Sequence, residues 1–538
     1  MTSLVSFDLR SEPWIGVTDL GGRSREVGLR EALCRAHEFA DVADASPLVV
    51  DAVLRLLVAI SHRVVDGPRD EATASALRAA GRFDPVAVDR YLEAMAGRFD
   101  LFHPTHPFLQ VPGLAERGRE ISPMARLVPE RAGVAKPVFF DHRLPGEVAT
   151  AAEAARTLVA WQAFALCRAQ AQWPGGAFRA AKDAPASRSA HAMVLGPTLY
   201  DTLVGNLVAY DPAAGIPHGT TTHDAPAWER EPLAGPAARV PDGLLDLLTW
   251  RSRAVGLVPA ERTDGVSDIT GVVEHDGETC VGDATDLPDP FVAFRRRANA
   301  REGQSLWLRV EVDEARAAWR DSLALLGGTA TDDAGTLRRP AVLSFHARLA
   351  ELGYADSTGL VPLALRGQAT ESGQNKVHTT RTEFLAAPVA ALLDADRRDI
   401  VALAVTMAEA GDRALLRSGA LAALLEPEAY AVLDSVRRKA VARAQRRRPA
   451  AVSFGGTGAY WASLDAPFRG LMAALAGVTI DPGRLIAGWR GRVERAARSA
   501  FADAISSFPT RPLATAEAET IFERALGRYL DELTRGGN

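Results

Sequence analysis

Four histidines in two short motifs are the residues of this chain whose type best suits metal chemistry. "HPTHPF" carries His103 and His106, and "HGTTTHD" carries His218 and His223 beside Asp224. Imidazoles around a divalent ion can activate water, so a metal-dependent hydrolase is the enzymatic reading that these motifs offer. Neither stretch matches a metalloprotease or other metal motif whose spacing places ligands on one helical face, and the prolines beside both histidines of the first motif point to a rigid turn. No serine-hydrolase elbow, dinucleotide fingerprint or kinase signature accompanies them, so catalytic chemistry is unsupported.

A second stretch, "QAQWPGGAFRAAKD" at residues 170–183, sets Gly175, Gly176 and Ala177 just before Arg179 and Lys182. A phosphate-binding loop needs a strand, spaced glycines and then Lys-Ser/Thr opening a helix. Here the order is reversed. The pattern predicts a helix over 148–172 that ends at Trp173-Pro174, which puts the glycines beyond a helix C-terminus, where the dipole disfavours anions. Two readings stay open: a helix stop with a turn, or a side-chain-free backbone that comes close to a ligand while Arg179 and Lys182 supply charge.

Cation usage adds little by itself. The chain has four lysines, Lys136, Lys182, Lys376 and Lys439, and the rest of its 62 basic residues are arginines. Lys182 and Lys376 lie in polar, glycine-containing stretches, "GGAFRAAKD" and "GQATESGQNKV", where a hydrated ammonium is at home on any surface. "SVRRKAVARAQRRRP" gathers Arg437, Arg438, Lys439, Arg443, Arg446, Arg447 and Arg448 at the end of a predicted helix. A cationic helix end is favourable in water, and it is equally suited to sequence-independent contact with phosphates.

The elements that must position these residues fall into two textures. At 538 residues the chain exceeds one compact core, and 47% hydrophobic with 24% charged residues is the composition of a soluble globular protein. The start alternates and turns at Gly21-Gly22, predicting a hairpin. Ser46 and Pro47 then cap an amphipathic helix, "SPLVVDAVLRLLVAISHRVVDGP", whose Asp51 and Arg55 rule it out as a membrane span. A helix is predicted over 87–98 and a strand in "SLWLRVEV"; the region 190–345 is α+β in character. From Phe384 onward, Ala/Leu/Arg-rich segments near 385–411, 427–448, 466–477, 482–507 and 514–534 predict a helical bundle. The net charge of -5 divides into +4 after residue 383 and -9 before it, so polyanion contacts need local patches. Cys34, Cys167 and Cys280 stand in no paired spacing, and no signal pattern opens the chain, which points to the cytoplasm.

Taken in order, "FDLRSEPWI", "SPLVVDAVLRLLVAISHR", "HPTHPFLQ" with "SPM", "FFDHRLPGEVATAAEAARTLVAWQAF", "WPGGAF", "LPDPFVAF" and "GQATESGQNKV" resemble the CasA family, the large subunit of the type I-E CRISPR Cascade complex. The resemblance runs over nearly the whole chain. It implies an α+β fold, with a mixed α/β domain at 1–383 and a C-terminal four-helix bundle at 384–538. It also implies a nucleic-acid reader that is not an enzyme and needs no cofactor. Such a subunit recognises the protospacer-adjacent motif (PAM) of target double-stranded DNA from the minor groove, promotes strand separation and R-loop formation, and recruits the CRISPR helicase-nuclease. Its expected partners are the other Cascade subunits, the crRNA 5' end, target DNA and that helicase-nuclease, with no membrane.

Residue by residue, the family's glycine loop corresponds to Gly175, Gly176 and Ala177, with Arg179 and Lys182 nearby. A minor groove about 6 Å wide admits little side-chain bulk, so bare backbone suits it. The family's glutamine wedge matches Gln374, beside Asn375 and Lys376. The loop contacting crRNA and the neighbouring subunit matches Phe139, Phe140, Asp141, His142 and Arg143. Two departures follow. The family often carries a lysine finger after "TWRSRAVGLV", yet no lysine occurs between Lys182 and Lys376, which leaves Arg262 in "PAERTDG" as the substitute. Some members carry a cysteine pair there; this chain has none, so no zinc is expected.

Overall fold

A computed structural model describes residues 6–117, 121–128, 130, 148–169, 180–260, 268–281, 288–300, 305–314, 316–328, 335–370, 377–417, 420, 455–506 and 512–535. The chain forms two compact units: Met1–Ala318 with Ala334–Ser357 and Val361–Leu385, and Trp319–Asp333 with Thr358–Leu360 and Ala386–Asn538. Two short segments that precede residue 384 in the chain thus cluster with the C-terminal helices. Strands and helices mix in the first unit, and the C-terminal region is helical. No helix among the described residues is long and apolar enough to cross a membrane.

The predicted hairpin forms. Strand Ile15–Asp19 pairs antiparallel with Ser24–Val27 on one edge and Phe39–Val42 on the other, and Gly22 takes the left-handed φ of +81° that the turn requires. Helix Pro47–Val65 starts as its sequence dictates: the Ser46 side chain accepts from the Val49 N–H, and Pro47 occupies the first turn. Its amphipathic reading is overturned. Every residue from Leu48 to His62 is buried, Asp51 and Arg55 included. A helix buried all round can hold charges only where partners meet them. The Asp51 carboxylate lies 2.5 Å from His191 Nδ1, and Arg55 Nη2 lies 2.7 Å from Asp289 Oδ2.

The helix predicted over 148–172 is shorter, Ala151–Phe164, opened by a Thr150/Glu153 capping box. Its end is set by distant chain. The carbonyls of Ala163 and Ala165 accept from the N–H groups of Ala186 and Ala184, and the Phe164 carbonyl accepts from Gln368 Nε2 at 2.9 Å. Tertiary donors thus satisfy carbonyls that a continuing helix would have used. Capping by Asp84 moves the helix predicted at 87–98 to Pro85–Ala94, and the strand in "SLWLRVEV" narrows to Trp307–Arg309.

The second unit packs helices Ala395–Arg417, Gly455–Leu475, Pro482–Ser506 and Pro512–Arg535. The helix expected from 385 begins at Val389, because the strand Val377–Pro388 runs through that point. The segment 427–448 lies outside the described residues. The helix expected at 466–477 instead spans 455–475 with Pro467 inside it. Tyr460, Leu464, Phe468, Leu471 and Leu475 repeat at helical spacing and are all buried. Such burial outweighs the roughly 3 kcal/mol that an interior proline costs. Trp319 stacks on Phe468 with ring centroids 4.5 Å apart, and Gly411 lets Tyr460 approach so closely that a Cβ would meet its hydroxyl at 2.3 Å.

Two buried histidines make the first unit acid-sensitive. Burial lowers the His62 imidazole to about 4, against the Gly67 carbonyl that its Nδ1 meets at 2.7 Å. Burial, helped by the charge of Arg78, lowers His346 to about 4 as well. The unfolded chain binds these protons near pH 6.5 and the folded chain does not, so stability is complete above that pH and falls as pH drops towards 4. Each histidine contributes a slope of about 1.4 kcal/mol per pH unit within the window. Melting followed by circular dichroism from pH 7 to 4.5 is expected to show the decline, and His62→Gln, which keeps a donor for Gly67, is expected to make it shallower.

Candidate nucleic-acid interface

Three of the stretches singled out in the sequence are connections between neighbouring strands. Residues 170–179, with Gly175, Gly176, Ala177 and Arg179, join Arg168–Ala169 to Ala180–Ala181, an antiparallel pair in which Arg168 faces Ala181. Residues 261–267, with Arg262, join the antiparallel strands Arg253–Ala260 and Asp268–Asp276. Residues 371–376, with Gln374, Asn375 and Lys376, join Leu360–Thr370 to its sheet neighbour Val377–Pro388. All eight of these residues lie outside the described residues, as do Phe139, Phe140, Asp141, His142, Arg143, and the basic run Arg437, Arg438, Lys439, Arg443, Arg446, Arg447 and Arg448. Lys182 is described: it is exposed, one residue past the strand Ala180–Ala181.

The glycine stretch therefore needs a correction. It does not follow a helix end; the helix stops at Phe164 and a paired strand intervenes. The argument from an unfavourable helix dipole lapses with it.

What the structure supplies is the roots of these connections. Strand Asp268–Asp276 holds both flanks of the segment containing Phe139 to Arg143. Ser122 and Val272 exchange hydrogen bonds of 2.8 Å, and Ala149 and Ile269 exchange bonds of 3.0 and 2.7 Å. The strand whose preceding residues include Arg262 thus also anchors the segment expected to meet crRNA. Gly271 makes the packing possible, since a Cβ there would lie 2.4 Å from Ile121 Cγ2. The strand Leu360–Thr370 pairs antiparallel with His191–Val194, and Gln368 Nε2 donates at 2.9 Å to the carbonyls of Phe164 and Ser187.

The first histidine motif closes its own turn, and Asp224 of the second is held in the core. His103 Nδ1 accepts from the His106 N–H at 3.1 Å, closing the proline turn, and His106 Nε2 lies 3.5 Å from Glu231. His218 and His223 are exposed. Asp224 is buried and accepts from the N–H groups of Leu245 and Asp246 and from the Tyr210 hydroxyl. Among the described residues no group of three or more His, Cys, Asp or Glu is arranged to hold a metal.

The helix Pro482–Ser506 sorts its arginines by face. Arg490 reaches Glu494 and Asp531, and Arg498 reaches Glu523, all within 3.0 Å. Arg484, Arg492 and Arg495 are exposed and have no carboxylate partner among the described residues. Their i, i+8, i+11 spacing puts them on one stripe about 16 Å long. Arg484 and Arg492 border a cavity of about 510 Å³ lined also by Pro467, Leu471 and Trp489. The helical period carries this stripe in the sequence, although the run at 437–448 is denser in basic residues.

The model of the CRISPR-associated protein Cse1 family matches residues 8–500. The chain belongs to the Cse1 family. It is 36% identical over 425 residues, 76% of either chain, to the CRISPR-associated protein CasA/Cse1 of Thermus thermophilus. It superposes on the crystal structure of Thermobifida fusca Cse1 with a TM-score of 0.80, 27% identity and 99% of each chain covered. A chain of a structure described as a CRISPR RNA-guided surveillance complex shares the fold, with a TM-score of 0.73, 23% identity, and 98% of this chain and 99% of that chain covered. The CasA resemblance and the mixed fold with a helical C-terminal region read from the sequence hold.

Proposed function

We propose that the chain is the non-catalytic large subunit of a type I-E, crRNA-guided surveillance complex of the cytoplasm. In this reading it recognises the PAM of double-stranded DNA from the minor groove, promotes strand separation and R-loop formation, and recruits the helicase-nuclease. The observation that carries the reading is the placement, in a Cse1-family chain, of the bare-backbone, arginine and glutamine stretches on three inter-strand connections. Such connections can reach into a groove while the sheet below stays rigid. The relative found in a surveillance complex supports assembly with crRNA and further subunits. The test is reconstitution: a complex containing this chain and crRNA is expected to bind a duplex target with a PAM far more tightly than one without, and equal binding would sink the proposal.

The basic stripe supplies the sequence-independent part of this affinity. Neutralising Arg484, Arg492 and Arg495 together to Gln is expected to lower the slope of log K against log salt by about 2 to 3, since each phosphate contact contributes roughly 0.9. PAM preference should be unchanged, because phosphate contacts carry no sequence information directly. An unaltered slope would remove the stripe from the interface.

A further inference from the structure

The connections carrying Gly176 and Gln374 are far apart in the chain, yet described residues at their roots are bonded to one another. Asp183, two residues past the strand Ala180–Ala181, accepts through Oδ1 from the Cys167 N–H, which stands just before the partner strand. Its Oδ2 accepts from Arg188 Nε at 2.6 Å. Arg188 Nη1 then donates at 2.7 Å to the hydroxyl of Thr370, the last residue before the connection 371–376. The backbone beneath is equally close. A Cβ on Gly367 would lie 2.4 Å from the Ser189 carbonyl, and Gln368 Nε2 donates to the Ser187 carbonyl. The segment 183–189 is therefore wedged between the root of one connection and the root of the other.

We infer that Asp183, Arg188 and Thr370 form a clasp that fixes, relative to one another, the described strand ends from which the glycine and glutamine connections depart, making all three positioning residues for PAM-dependent strand opening. A groove reader and a wedge act on neighbouring steps of one duplex, so their separation must be held to a fraction of an ångström for both to engage. An arginine suits the task. Its planar fork meets a carboxylate and a hydroxyl at once, and two charge-assisted bonds hold it in one orientation. The side chains of Arg188 and Asp183 are partly exposed, at 27% and 33%, so the hydrogen-bond geometry rather than the bare charge gives the pair its value. The inference rests on the DNA-reading assignment proposed above and adds to it residues that touch no DNA.

The experiment uses the full reconstituted complex and two targets, a PAM-bearing duplex and the same duplex already unpaired beside the PAM. Arg188→Ala and Thr370→Val are expected to weaken binding of the closed duplex about tenfold, the value of one partly exposed charge-assisted bond, and to leave the pre-opened target unaffected. Arg188→Lys, which keeps charge but loses the fork, should recover only part. Combined with Gln374→Ala, Arg188→Ala should cost little more than Gln374→Ala alone, because both act through one wedge. Equal losses on both targets would mean general damage and overturn the clasp, and so would full activity of Arg188→Ala. Gly176→Asp and Gln374→Ala serve as controls. If they weaken closed-duplex binding and Arg188→Ala does not, only the clasp falls; if they change nothing, the DNA-reading assignment falls and takes the clasp with it.

Discussion

Arg55→Met is expected to destabilise the first unit by about 3–5 kcal/mol, the usual cost of stranding one member of a buried ion pair. Arg55 and Asp289 are 1% and 6% exposed, and a carboxylate buried without its partner is costly. Burial by itself would raise the Asp289 carboxyl; the charge of Arg55, with smaller help from His191 and the Phe291 N–H, brings it down to about 2. Because the folded value lies below the unfolded one near 3.9, the pair's contribution is complete above pH 4 and is lost as pH falls towards 2. The decisive comparison is the double variant Arg55→Met/Asp289→Leu. It removes both charges, leaves Asp51 and His191 as each other's partners, and is expected to recover most of the loss, since apolar replacements of a whole buried pair are often neutral. Melting of the full chain followed by circular dichroism distinguishes the cases: a double variant as unstable as Arg55→Met would mean that the arginine acts by packing over Phe291, 5.5 Å from its ring, and not by charge.

This pair also marks where sequence reasoning stops. The start of helix Pro47–Val65 was legible because Ser46 and Pro47 act within one turn. Asp51 and Arg55 look like a solvent face, because their partners His191 and Asp289 are 140 and 234 residues away. Phe164 and Pro467 teach the same lesson with opposite signs. One helix stops short since remote N–H groups and Gln368 claim its carbonyls. The other runs on through a proline since its buried face repays the lost bond. The candidate site was legible in residue type, as glycines, glutamine and arginine in short polar stretches. Its architecture was not, because Asp183, Arg188 and Thr370 have unremarkable neighbours and meet only after a sheet and a helix end have formed.

Gly176→Asp is expected to weaken binding of a PAM-bearing duplex by about a hundredfold or more, the largest effect of any single change in the proposed interface. Two terms act together. A minor groove about 6 Å wide leaves no room for a side chain where backbone lies against the base edges. The added carboxylate would also face the phosphates that flank the groove, and at an effective dielectric constant of about 20 one such pair roughly 6 Å apart repels by about 3 kcal/mol, which alone is about a hundredfold. Gly176→Asn separates the terms, because it keeps the bulk and drops the charge. An affinity recovered most of the way by Asn would make repulsion dominant, whereas equal losses for Asn and Asp would make groove width the constraint. A target pre-opened beside the PAM keeps the paired PAM groove, so Gly176→Asp should weaken its binding as well, unlike Arg188→Ala, whose loss is confined to the closed duplex. Unchanged closed-duplex affinity for Gly176→Asp would remove the glycine connection from the DNA altogether.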